Sequence, residues 1–181
     1  KGYDLYTTGD PQNDYHNLFV QNDYANNPEI LLWRKYATGF LGHAALRYWS
    51  YNDRGKLGAS KALVDSYLCK DGLPISQSDL YKGDASIHDE MIDRDPRMRQ
   101  TICHPGEYVF DLTNESPANY NSNSVGSNMP DIPGTIAFRF ACPTGYRVIK
   151  YWIHDIEEMN AVTNGDMPCP EFRYAETLLI Y

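Results

Sequence analysis

With 181 residues, 42% of them hydrophobic and 22% charged, the chain can bury a sizeable core, and its composition excludes disorder as the overall state. Sixteen Lys and Arg against twenty-four Asp and Glu leave a net charge of −8 with no compact basic cluster, which excludes nucleic acid as a partner. No apolar run approaches the roughly 18 residues of a membrane span, and KGYDLYTTGD lacks the basic start and apolar stretch of a secretory signal, so export or lipid-anchoring information is expected only upstream of Lys1.

The first stretch, GYDLYTTGDPQNDYHNLFVQNDYANNP, is rich in Asn, Asp, Gly and Tyr without a sustained period. It reads as surface loop with one short helical turn. PEILLWRKYAT is a compact apolar and aromatic run between turn formers and predicts a buried strand. Residues 39–58 are dense in aromatics but irregular, a loop or broken helix. Ser60 then caps a helix over KALVDSYL, with Leu63, Val64, Tyr67 and Leu68 at helical spacing and Asp71-Gly72 as its stop. A second helix is predicted around ASIHDEMID, with Ile87, Met91 and Ile92 on one face and Asp95-Pro96 interrupting it, because the residue before a proline is pushed away from helical geometry. EYVFDL alternates as a strand does.

Residues 113–134 hold the longest polar, small-residue segment, a surface loop of the length that is usually functional or disordered. TIAFRFA and YRVIKYWI are predicted as strands around the turn Pro143-Thr144-Gly145. Pro170 is placed at the first turn of a closing amphipathic helix, EFRYAETLLIY. The elements add up to an α+β protein of short helices, short strands and long loops, without βαβ alternation or an internal repeat.

Two inventories bear on chemistry. Fifteen Tyr against six Phe and three Trp suit half-wet surfaces, since Tyr packs a flat apolar ring and keeps a hydroxyl at the water boundary. Cys69, Cys103, Cys142 and Cys169 lack metal-binding spacing. They suit buried free thiols, with disulfides open in an oxidising compartment in any of the connectivities four cysteines allow.

Four segments in fixed order, ALVDSYLCKDGLPIS, DEMIDRDPRMRQTI, PTGYRVIKYW and FRYAETLLIY, together resemble the core of the SusD/RagB family. Residues 1–59 resemble it loosely, through PEILLWRKYAT. The resemblance implies an outer-membrane lipoprotein that captures glycans at the outward-facing cell surface for a partner TonB-dependent transporter. It implies no enzymatic activity and no cofactor or metal. It also implies that residues 1–170 are an irregular capping region and residues 171–181 the start of a helix in a tetratricopeptide-like all-α scaffold. On this reading the chain is a piece of a longer protein whose membrane attachment is an N-terminal lipid anchor outside these residues. Arg173 to Tyr181 is then expected to support the site and not to touch ligand. A short helix with an apolar stripe needs a neighbouring surface to be stable, which gives the same expectation a physical leg.

The shared segments read as framework. Arg94, Asp95, Pro96 and Arg97 are expected to form a charge-clamped turn, Asp95 bonding to backbone amides or to Arg97 while the guanidinium groups pin loops. A glycoside hydrolase would need two carboxylates about 5 Å apart for retention, or about 6.5 to 9.5 Å for inversion. Asp89, Glu90, Asp93, Glu157 and Glu158 are the candidates, but neighbours such as Glu157-Glu158 point to different sides of a helix or strand. His154-Asp155-Ile156-Glu157 matches no established metal-site spacing. A helical-repeat module that binds another protein is a third class.

A non-catalytic glycan site needs aromatic platforms for C–H faces and a few polar groups for hydroxyl edges. RYWSYNDRGK supplies this mixture most densely, with Tyr48, Trp49 and Tyr51 beside Arg47, Asn52, Asp53 and Arg54. A buried Trp49 in the core competes evenly with Trp49 as platform. Tyr120, with Asn119, Asn121 and Asn123 as edge partners, is the second candidate. These choices rest on composition and loop position, since the family fixes its ligand-binding aromatics by no shared motif.

Overall fold

The computed structural model describes residues 2–43, 58–104, 108–111, 116–119, 144–151 and 165–181. In chain order its elements are α1 (Asp14–Phe19), β1 (Ile30–Arg34), α2 (Lys61–Ser66), α3 (Ile87–Met91), α4 (Pro96–Arg99), β2 (Tyr108–Asp111), β3 (Ser116–Asn119), β4 (Cys169–Arg173) and α5 (Tyr174–Ile180). The protein is α+β, as the pattern of short periodic segments predicts. It divides into two compact units: Lys1–Arg47 with Tyr151–Tyr181, and Tyr48–Lys150.

In the first unit the polar N-terminal stretch is not all surface. Leu18, Phe19, Tyr24 and Ile30 form a core, with Tyr6, Tyr15, Trp33 and Tyr151 packed against it. The apolar residues at the end of α1 have a wall to bury against, and most of the Asn, Asp and Gly residues around them stay in water, Asp14 and Asn27 being buried. Asp14 ties the preceding loop to α1: its carboxylate accepts from the Thr8 backbone N–H at 2.9 Å, the Thr8 hydroxyl at 2.6 Å and the Thr7 hydroxyl at 2.7 Å. The Thr8 hydroxyl, ahead of the other bonds, holds this carboxyl below its ordinary range against the opposing effect of burial.

Strands β1 and β4 pair antiparallel, with Leu32 opposite Phe172, Trp33 opposite Pro170 and Arg34 opposite Cys169, and with register shifts on either side of Leu32. PEILLWRKYAT is therefore a strand but not a buried one. Ile30 is buried, whereas Leu32 and Phe172 are 52% and 59% exposed, because this two-stranded sheet is covered on one face. Pro170 lies in β4, not in a helix's first turn. A proline is admitted to strands at edges and irregularities, where its missing N–H breaks no ladder bond. Helix α5 starts only at Tyr174, with Arg173 as its N-cap residue, and none of its residues is buried.

The second unit is built around Ala59, Val64, Ile87, Met91, Met98 and Ile102, with Tyr67, Tyr146 and Val148 packed against them. Each fully buried side chain of this kind contributes roughly 1.5–3 kcal/mol, against at most about 1 kcal/mol for an exposed ion pair such as Lys35–Asp23. Apolar packing therefore dominates over surface pairing in both units. Ser60 caps α2 as predicted, accepting from the Leu63 N–H at 3.2 Å. The helix ends earlier than its periodicity implies: Tyr67 is extended (φ −66°, ψ 138°), Leu63 and Leu68 are exposed, and Asp71-Gly72 instead closes a separate turn in which Gly72 takes φ +80°. Ser86 and Asp89 form a reciprocal cap on α3, the Ser86 oxygen accepting from the Asp89 N–H at 3.0 Å and its hydroxyl donating to Asp89 Oδ2 at 2.8 Å.

Helix α3 stops at Met91, before the proline, and Pro96 does not only interrupt: it opens α4, with Asp95 as cap. Asp95 Oδ1 accepts from the Arg97 N–H at 2.9 Å and from Arg97 Nε at 3.0 Å. This is the charge-clamped turn expected of RDPR. The Arg97 side chain holds the Asp95 carboxyl below its ordinary range despite partial burial. A depressed carboxyl stabilises the fold above the ordinary Asp value near pH 4, and that contribution is lost as pH falls through the lower folded value. Thermal melts from about pH 5 to about pH 2 are expected to show this acid limb in the native chain and a shallower one in Asp95→Asn.

The long polar segment 113–134 is not loop throughout. Within it β3 pairs antiparallel with β2, Tyr108 opposite Asn119 and Asp111 opposite Ser116. YRVIKYWI makes no regular strand over its described part. It is extended only through isolated bridges, Arg147 to Gly58 and Val148 to Ile102, with a bond from the Cys103 N–H to the Arg147 carbonyl at 2.8 Å. TIAFRFA and most of residues 39–58 lie outside the described residues. Cys69 and Cys103 are buried, but Cys169 is exposed on β4, contrary to the expectation of four buried thiols; Cys142 lies outside.

Candidate functional site

The glycan candidates Arg47, Tyr48, Trp49, Tyr51, Asn52 and Asp53, and Tyr120 with them, lie outside the described residues. The described residues nearest to them, up to His43, from Gly58 and up to Asn119, are anchored. Ahead of Arg47, in the first unit, a turn closed by the Ala37–Leu41 bridge carries Gly39 at φ +78°, a left-handed conformation that glycine adopts without penalty. Thr38 Oγ1 donates to Asp166 Oδ2 at 3.0 Å, and His43 pairs its backbone with Gly165. His43 Nε2 stands 2.8 Å from the Met167 carbonyl, which can only accept, so that nitrogen carries the proton. The Tyr36 ring meets the His43 ring edge-on at 4.5 Å. After Asp53, in the second unit, the Ala59 N–H donates to the Tyr146 carbonyl at 2.8 Å and Ser60 starts α2. Tyr120 follows directly on Asn119, whose backbone pairs with Tyr108 in the β2–β3 ladder.

The carboxylates weighed for hydrolysis have structural partners where they are described. Asp89 belongs to the α3 cap. Asp93, at φ +54°, pairs with Lys70 at 3.0 Å. Glu90 is 1% exposed, with Lys61 Nζ 2.8 Å from one oxygen and the Tyr146 hydroxyl donating to the other at 2.7 Å. Lys61 also pairs with Asp65, one turn along α2. Burial alone would lower the Lys61 pKa, but its bonds to Asp65 and Glu90 prevail and raise it, so the ammonium stays charged. Burial, then the bond to Glu90, pushes the Tyr146 phenol up as well. The cluster joins α2, α3 and the GYRVIKYW segment, a role of framework. Glu157, Glu158 and His154-Asp155-Ile156-Glu157 lie outside the described residues, and among those described no group of three or more His, Cys, Asp or Glu is arranged to hold a metal.

Arg94 has a role the sequence reading reached only as loop pinning. Its buried guanidinium donates to the carbonyls of Val64 at 2.8 Å, Tyr67 at 2.9 Å and Glu90 at 2.9 Å. These oxygens lie at the ends of α2 and α3, where carbonyls run short of intrahelical partners; Val64 also accepts from the Tyr67 N–H at 3.3 Å. One side chain thus closes two helices.

In the first unit Glu29 does comparable work. It is 4% exposed; one carboxylate oxygen accepts from the Tyr6 N–H at 2.9 Å and the other pairs with Arg173 at 3.4 Å. The Arg173 guanidinium lies 5.1 Å from the Phe19 ring centroid and pairs with Glu176 at 3.1 Å. The N-terminal arm, β1 and the start of α5 meet at this carboxylate. Nothing in the local text around Glu29 announces it, because both of its partners are distant in the chain.

A family model described as the SusD family matches residues 6–181. No curated protein and no solved structure matches the chain.

Proposed function

The chain belongs to the SusD family, and from that premise we propose that it binds oligo- or polysaccharide at the outward face of the outer membrane and passes it to a partner TonB-dependent transporter. Glycan binding in nutrient uptake is the business of the family. The finer reading is a non-catalytic one, with a lipid anchor as the membrane attachment and residues 1–170 capping a tetratricopeptide-like scaffold that begins in residues 171–181. The observation that carries it is the family match over nearly the whole chain, beside the structural duties of Asp89, Glu90 and Asp93. The aromatic segment at Tyr48, Trp49 and Tyr51, with Arg47, Asn52 and Asp53 for hydroxyl edges, is the proposed platform, and Tyr120 a second contact.

Affinity electrophoresis through gels containing soluble starch, xylan, mannan or pectin is the test. Retardation by at least one polysaccharide without release of new reducing ends is expected. Steady release would make the protein a hydrolase, and free migration through all of them would remove the glycan reading. Trp49→Ala is expected to abolish the retardation while leaving the thermal midpoint nearly unchanged; a large fall in the midpoint would place Trp49 in the core instead.

A further inference from the structure

We infer that Tyr3 and Tyr174 form a carbohydrate-stacking shelf on the first unit, built from residues other than the aromatic segment at 47–53; this rests on the glycan-binding reading above. The two rings are stacked, with centroids 6.3 Å apart and 28° between planes. At that separation they lie offset, and two offset, slightly inclined rings present a broader, stepped apolar surface than either alone. Tyr3 is 48% exposed and Tyr174 half-buried, so the surface is open to solvent but not loose.

What holds the rings is one short stretch of backbone. The Asp4 N–H donates to the Pro28 carbonyl at 3.2 Å, and the Tyr174 N–H donates to the Glu29 carbonyl at 2.8 Å. The Glu29 side chain then fixes Tyr6 on one side and Arg173 on the other. The backbone at both tyrosines is therefore held before ligand arrives, which lowers the ordering entropy that opposes binding.

The chemistry of the shelf selects the ligand class. A pyranose offers a weakly apolar C–H face and a rim of hydroxyls, and a phenol offers a flat face together with an oxygen that donates and accepts. Neither phenol oxygen is hydrogen-bonded within the described residues. A purely apolar partner would leave these polar groups unmatched. This gives Tyr174, in the first turn of α5, contact with ligand, against the expectation that this helix only supports the site.

The experiment is affinity electrophoresis of the whole chain against the polysaccharide that retards it among soluble starch, xylan, mannan and pectin. Tyr3→Ala is expected to weaken retardation roughly three- to tenfold, the scale of one aromatic contact, with an unchanged thermal midpoint because the ring is exposed. Tyr3→Phe keeps the face and should stay within about twofold of the native chain. Unchanged retardation of Tyr3→Ala, where Trp49→Ala abolishes it, would overturn the shelf and leave the glycan reading standing. If the native chain migrates freely in every gel, the glycan reading falls and the shelf falls with it. Should Tyr3→Ala lower the thermal midpoint, the result would assign the ring to structure and overturn the subsite.

Discussion

Arg94→Ala is expected to destabilise the protein by about 3 kcal/mol or more, and the reason is the number of helix ends one guanidinium closes. Val64, Tyr67 and Glu90 each present a carbonyl to it within 2.9 Å. Leaving a buried acceptor unsatisfied costs about 1–3 kcal/mol, although the Val64 carbonyl would keep the Tyr67 N–H at 3.3 Å. The full sum is not reached, because water can enter the vacated volume and a buried charge no longer has to be desolvated. The Arg94 guanidinium also lies 5.5 Å from the Tyr81 ring centroid, so truncation removes packing along with hydrogen bonds. Arg94→Lys should recover little, since an ammonium cannot reproduce the planar fork that reaches several carbonyls. Urea unfolding decides it: a midpoint within error of the native one in Arg94→Ala would show that α2 and α3 end without this side chain.

Glu29→Ala is the second large effect, in the first unit. Removing the carboxylate leaves the Tyr6 N–H without its acceptor and deprives the largely buried Arg173 of one of its two acidic partners. Breaking a buried pair from one side costs about 3–5 kcal/mol, and Glu176 with the Phe19 ring retains part of the compensation, so about 2–4 kcal/mol is expected. Hydrogen exchange locates the effect as well as its size. The amides of Asp4, Tyr6 and Tyr174 all bond to residues 28–29 and should lose protection together. Loss at Tyr6 alone would mean that the arm is held independently of the start of α5.

Much of the local structure was legible because its causes are local. Ser60 caps where a hydroxyl precedes a run of helical spacing, and Asp95 clamps Arg97 across two residues. The strand in PEILLWRKYAT follows from a β-branched and aromatic run between turn formers. What misled was burial. Leu32 and Leu63 belong by pattern to inward faces, yet both are exposed, because what covers a face is decided by elements far along the chain. The same holds for Pro170, admitted to β4 by its pairing with β1 across more than half the sequence, and for SPAN, which no propensity would make a strand without β2 beside it.

By itself the sequence determined the family, through four ordered segments, together with the α+β class, the start of α2 and the clamped RDPR turn. Each of these depends on residues within a few positions of one another or on their order. Only the tertiary structure decided that Arg94 ends two helices, that Glu29 gathers the N-terminal arm, β1 and α5, and that Tyr3 meets Tyr174. Apart from the Arg94 bond to the Glu90 carbonyl, four positions back, those contacts join residues from 23 to 171 positions apart. A buried polar group must find its partner wherever the packed chain brings one, and that demand leaves no periodic trace in the sequence.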